Sequence, residues 1–245
     1  MERISSRRNP LCLHFKKLGV NREYREACCE FLCDGLKLLE EAERFGAQIV
    51  SVITSGHIPF PLPVDTRVFL ADEGLINSIS PLKTAQSVLF SCRIPVQEPF
   101  SGGTSVLLDG LQDPGNVGTI LRTANAFGID NVILTGSCAD IYNPKTVRAT
   151  MGAIFRQKVC RLNASELSEL KDSGVRFVGS ALGEASADIS DVNLRGAVVA
   201  IGSEGKGISA EVLELCEQRV VIPIVPECES LNAAVAAGII MWCAR

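Results

Sequence analysis

An α/β fold built on a parallel sheet is predicted by three features of this 245-residue chain. Strand and helix patterns alternate from residue 105 onwards. The strands are continuous apolar runs, such as SVLLD at 105–109 and AVVAI at 197–201, as in sheets covered on both faces. The composition is 47% hydrophobic and 21% charged, enough to bury a substantial core and too apolar for a disordered chain.

Arg22–Arg44 is helical by pattern, because Leu32, Leu36, Leu39 and Ala42 recur at three- and four-residue steps. Gln48–Ile53 is a strand. His57–Val64 has no regular structure, since Pro59, Pro61 and Pro63 remove backbone donors at alternate residues. Val68–Leu70 is a short strand, Asp72–Ser78 a short helix and Val88–Cys92 another strand. Ile94–Ser105, with two prolines and Gly102-Gly103, reads as a linker. Strands then follow at Ser105–Asp109, Asn131–Thr135, Lys158–Leu162, Val175–Ser180, Ala197–Ile201 and Arg219–Ile222. Helices fall at Val117–Phe127, Lys145–Phe155, Ala164–Asp172, Ser209–Cys216 and Leu231–Cys243. The predicted domains are a small α/β unit over residues 1–95, a linker over 96–104 and the main α/β domain over 105–245.

Charge and cysteine usage narrow the classes. The net charge is −4, but residues 1–30 hold seven Lys and Arg against four Asp and Glu, and residues 161–245 hold seven against twelve. Arg3, Arg7, Arg8, Lys16, Lys17, Arg22 and Arg25 can form a phosphate-holding patch or an ordinary solvated face. Ten cysteines without a C-x-x-C, beside only two histidines, do not make a metal site, and none is expected. No run reaches the length of a membrane span and no leader pattern opens the chain, so a cytoplasmic protein with reduced thiols and no membrane partner is expected.

In parallel sheets ligands collect at the carboxyl ends of strands. Three loops there carry unusual polar residues. After the first strand of the main domain comes DGLQDPGNVGTILRTANAFG, residues 109–128. Asn116 suits a helix N-cap or a ligand contact, and Arg122 needs an anion, either a structural carboxylate or a substrate phosphate. The second loop, GSEGKG at 202–207, is no Walker A loop; its glycines fit a tight turn or a close approach to a ligand. The third ends in Glu229-Ser230-Leu231-Asn232, where Ser230 can cap the final helix or meet a ligand. That helix is apolar nearly all round, so either the core or a second subunit must cover it, and a second subunit is expected.

DPGNVGTILRTANAFG at 113–128, GSEGKG at 202–207 and IP…ESLN at 222–232 resemble the three ordered motifs of the SpoU/TrmH-type RNA ribose 2′-O-methyltransferases of the SPOUT superfamily. NPKTVRATMG at 143–152 is similar to theirs as well, and the likeness spans about residues 104–245. The resemblance implies a Rossmann-like parallel sheet with a C-terminal trefoil knot, preceded by a small α/β RNA-substrate-binding domain. It implies a homodimer and bound S-adenosylmethionine. The matching cofactor positions are Gly202, Ser203, Glu204, Ile222 and Leu231, with Ser180 and Ala181 beside them. The matching catalytic positions are Asn116, Arg122, Ser230 and Asn232; Arg7, Arg8, Lys16, Lys17 and Arg148 would bind RNA. Ribosomal RNA is the implied substrate. Transfer RNA, a catalytically silent RNA-binding protein of the same fold and a small-molecule enzyme are the alternatives.

Overall fold

The computed structural model describes residues 2–82, 86–181, 183 and 186–245. The chain begins with β1 (Glu2–Arg3), α1 (Pro10–Val20), α2 (Arg22–Cys28), β2 (Glu30–Asp34), α3 (Leu36–Arg44), β3 (Ile49–Thr54), β4 (Arg67–Leu70), α4 (Glu73–Ile79) and β5 (Val88–Arg93). It continues with β6 (Ser105–Asp109), α5 (Pro114–Phe127), β7 (Asn131–Thr135), α6 (Pro144–Ala149), β8 (Val159–Arg161), α7 (Ala164–Asp172) and β9 (Phe177–Ser180). The last elements are β10 (Ala187–Asp188), β11 (Val198–Gly202), α8 (Ala210–Leu215), β12 (Gln218–Val221) and α9 (Ala233–Ala244). No helix of the described residues is long and apolar enough to cross a membrane.

Contacts divide the chain into two compact units. The first comprises Met1–Val96 and Asp140–Arg156. Its sheet runs β1-β4-β3-β5-β2, with β1, β4 and β3 parallel and β5 antiparallel to both β3 and β2. Phe15, Leu18, Leu32, Ile53, Ile76 and Leu89 build its core.

The predicted helix Arg22–Arg44 is instead helix, strand and helix. Cys29 takes a left-handed conformation (φ 50°) and ends α2, while Gly35 (φ 114°) turns the chain into α3. Between them β2 is buried at every residue, so it carries no alternating pattern. Residues 140–156, read from sequence as part of the main domain, pack in the first unit. The predicted helix Lys145–Phe155 stops at Ala149, because Met151 (φ 49°) and Gly152 (φ 93°) are left-handed, and only a 3₁₀ turn, Ala153–Phe155, follows. Phe31 contacts the rings of Tyr142 and Phe155.

The second unit, Gln97–Ala139 with Gln157–Arg245, holds a seven-stranded sheet in the order β10-β12-β9-β11-β6-β7-β8. Every pairing in it is parallel. Leu107, Ile133, Phe177, Val198 and Ala200 fill the core, with Ile208 just before α8 and Val212 on it. α9 packs on β11 and along α5. Asn232 meets Asn116 where the two helices begin, Gly238 lies opposite Thr123, and the rings of Trp242 and Phe127 meet 5.7 Å apart. The two helices therefore run parallel, in register.

Candidate active site

The site grows from two helix starts and one loop. Pro114 opens α5, as proline does at a first helical position, and Asp113 caps it: its Oδ1 accepts from the Asn116 N–H at 2.7 Å. Asn116 is thus not the cap suggested by the sequence. It sits in the first turn with its amide free to reach elsewhere. At α9 the cap is Asn232, whose Oδ1 accepts from the N–H groups of Ala234 (2.9 Å) and Val235 (3.3 Å). Ser230 does not cap; it is exposed two residues earlier, hydrogen-bonded to none of the described residues.

These side chains converge. Asn116 Nδ2 donates to Glu204 Oε1 at 2.5 Å, and Asn232 Nδ2 donates to Asn116 Oδ1 at 3.1 Å. The Ala233 N–H also points at Glu204 Oε1, at 3.4 Å. Residues far apart in sequence thus tie the three loops into one cluster. Glu204 emerges as its centre, beyond the cofactor contact that the resemblance implied for it.

Glu204 sits at the tip of a closed turn. The Ser203 N–H donates to Gly207 O (3.1 Å), the Gly207 N–H donates back to Ser203 O (2.8 Å), and Ser203 Oγ accepts from the Lys206 N–H (3.3 Å). A β-carbon at Gly202 would stand 2.0 Å from the Gly207 carbonyl carbon. Glycine at 202 is therefore required by the turn itself, before any ligand is considered.

Arg122 lies six residues beyond Asn116, about 9 Å further along α5 at 1.5 Å per residue. It is exposed and pairs with no described residue, so the structural carboxylate that would explain it is not supplied among them. Ser180, Ala181, Gly202, Ser203 and Ile222 lie at the carboxyl ends of β9, β11 and β12, three neighbouring strands. The Ala181 N–H donates to Val220 O at 3.1 Å, which ties two of these ends together. Half-buried Leu231 precedes the α9 cap.

The remaining expected positions lie in the first unit. Arg7 and Arg8 are exposed between β1 and α1. Lys17 is exposed over the Tyr24 ring, and Lys16 is half-buried on α1. Arg148 is half-buried on α6, where its charge acts on Asp34; burial raises the Asp34 carboxyl, while the Gln86 N–H, Ser80 and Arg148 pull it the other way. Arg25, counted with the basic cluster, is only 3% exposed. Its guanidinium donates to Asp140 at 2.6 and 3.1 Å and to Leu18 O at 2.6 Å, so it serves the fold and is not open to a partner.

Known proteins share this fold and much of the sequence. The chain is 32% identical, over 99% of its length and 98% of the relative's, to the 23S rRNA (guanosine(2553)-2′-O)-methyltransferase RlmP of Bacillus subtilis (strain 168). It is similar in structure to the AdoMet-bound rRNA methyltransferase of Sinorhizobium meliloti (TM-score 0.87, 28% identity, 100% of this chain and 97% of that one). It also resembles the SpoU methyltransferase AviRb of Streptomyces viridochromogenes in complex with AdoMet (TM-score 0.84, 26% identity, 96% and 97%). The sequence model of the SpoU rRNA Methylase family matches residues 103–242, more than half of the chain, and the protein belongs to that family.

Proposed function

We propose that this protein methylates a ribose 2′-hydroxyl of ribosomal RNA with S-adenosylmethionine as methyl donor, and that the target is a guanosine of 23S rRNA. The observation that carries the reading is the Asn116–Glu204–Asn232 junction, which brings the three polar loops to one place. The cofactor supplies a methyl group on a sulfonium, which leaves as a neutral thioether without an acid. What the protein must supply is help for the oxygen. Arginine stays protonated in proteins, so Arg122 is no literal base and the hydroxyl proton passes to solvent water; its planar fork grips a neighbouring phosphate and stabilises developing alkoxide charge. Asn116 and Ser230 orient the ribose, and alignment supplies much of the rate. Asn232 holds Asn116 and starts α9.

The wider assembly belongs to the same proposal. The first unit carries the RNA through Arg7, Arg8 and its neighbours. β12 lies beyond β9 at one side of the sheet, yet the next helix, α9, lies against α5 and β11; a chain crossing back over the strand ends supports a trefoil knot there. On α9, Val235 and Trp242 are each 53% exposed, with half-buried Gly238 and Ile239 between them at helical spacing. That apolar stripe supports a second copy of the chain as its cover, and hence a homodimer. A cytoplasmic location suits an enzyme acting on ribosomal RNA.

The test is incubation of the purified protein with labelled S-adenosylmethionine and 23S rRNA transcripts, followed by mass-spectrometric mapping. One guanosine carrying a 2′-O-methyl is expected. No incorporation into any ribosomal transcript would refute the reading.

A further inference from the structure

A second feature of the sheet end extends this reading and rests on it. Beside the Asn116–Glu204–Asn232 cluster, at the carboxyl ends of β6, β7 and β11, opens a cleft of about 400 Å³. Asp109, Gln112, Asp113, Ser137, Glu204 and Lys206 are among its walls. The volume is within the range of small-molecule sites. Glu204 belongs to both places, so a nucleotide in the cleft lies against the cluster.

The polar groups of the cleft are mostly acceptors with capacity to spare. Asp109 is only 7% exposed. Its Oδ2 accepts from the Ser209 N–H at 2.6 Å, and its Oδ1 pairs with no described residue. No described buried polar side-chain atom lacks both a partner and solvent, so that oxygen is open, and the cleft is where it opens. Asp113 spends Oδ1 on the helix cap and keeps Oδ2. Gln112 donates from Nε2 to Ser137 Oγ at 3.3 Å and keeps its carbonyl oxygen. Lys206 is the one cation among the lining residues.

We infer that this cleft holds the base of the target nucleotide and selects guanine. Among the four bases only guanine places two adjacent donors, N1–H and the N2 amino group, beside an acceptor, O6. The carboxylate wall answers the two donors and Lys206 answers O6. A site built around such hydrogen bonds rejects bases that leave a buried acceptor such as Asp109 unpaired.

The experiment compares a 23S rRNA transcript carrying guanosine at the methylated position with one carrying inosine, which lacks the 2-amino group. Wild-type protein, Asp113→Asn and Gln112→Ala are assayed for kcat/KM and for S-adenosylhomocysteine affinity by calorimetry. For the wild type, inosine is expected to cost about tenfold in kcat/KM. In Asp113→Asn, whose amide oxygen still caps α5, that ratio should fall towards one with cofactor affinity unchanged. Gln112→Ala should lower turnover of the guanosine transcript several-fold, again without loss of cofactor affinity. Equal turnover of the two transcripts by the wild type, or an intact ratio in Asp113→Asn, would overturn the assignment. Weakened S-adenosylhomocysteine binding in either variant would give the cleft to the cofactor and also overturn it. A wild-type protein that methylates neither transcript refutes the proposed function, and the base assignment falls with it; methylation that ignores the 2-amino group refutes the base assignment alone.

Discussion

Arg25 and Arg122 show how differently the two units spend their polar side chains. In the first unit several charges are paired internally. Arg25 is buried against Asp140, Arg93 and His14 both reach Glu30, and Arg156 meets Glu41. In the second, Asn116, Glu204 and Asn232 join one another at the sheet's carboxyl ends, while Arg122 and Ser230 stay exposed and unpaired among the described residues. The lesson is that a basic residue's place in a charge cluster says little about its task. Arg25 sits among the amino-terminal arginines that suggested RNA binding, yet the fold consumes it; Arg122 stands nearly alone on a small apolar helix and is available to a ligand.

Each side of that contrast can be broken. The largest expected effect is on folding. Arg25→Ala leaves half-buried Asp140 without its guanidinium and opens a void, and loss of the buried partner of such a pair costs about 3 kcal/mol, the low end for fully buried pairs, measurable as a lower midpoint in urea unfolding. Next comes chemistry without a folding effect. Arg122→Ala should lower methyl transfer by about 100- to 1000-fold, and Arg122→Lys nearly as much, with an unchanged melting temperature and unchanged S-adenosylhomocysteine binding. Full activity in the lysine variant would remove the anchoring role.

Asn232→Ala should act on both sides. Loss of the α9 cap costs about 1 kcal/mol of stability, and loss of the bond to Asn116 should lower kcat more than it raises KM. Arg7→Glu with Arg8→Glu should weaken RNA binding at low salt and flatten its salt dependence, read from filter binding across a salt series. The smallest effect concerns His14. Burial raises the Glu30 carboxyl, but His14 and Arg93 outweigh it and hold its pKa below the ordinary value. The stability this contributes is present above the ordinary carboxylate range and is lost as pH falls through the lowered value. His14→Gln should therefore shrink the loss of stability seen between neutral and acid pH; an identical acid profile would remove His14 from that account.

Much of the second unit was legible because its elements obey local rules. Ser105–Asp109, Asn131–Thr135 and Ala164–Asp172 fall where periodicity placed them. The first unit was harder. β2 is buried on both faces and flanked by helices, so its leucine joined a helical repeat running on into α3. α1 was missed although Asn9-Pro10 marks its start, and the same Asx-Pro signature opens α5 at Asp113 and α6 at Asn143. Reading that signature would have found the α5 cap and released Asn116. The role of Glu204 at the centre of the cluster had no local signal, since its partner Asn116 lies 88 residues away and the chain must fold before they meet.

The parallel course of α5 and α9 has an electrical consequence. Peptide dipoles along a helix leave roughly half a positive elementary charge at its amino end. Two antiparallel neighbours would cancel each other's fields; two helices starting together reinforce them. Asn116 and Asn232 mark those starts, so the polar cluster they form lies at the doubled positive pole. Glu204 Oε1 accepts from the Asn116 amide and from the Ala233 N–H, so the acceptor that joins the two starts lies in the same field.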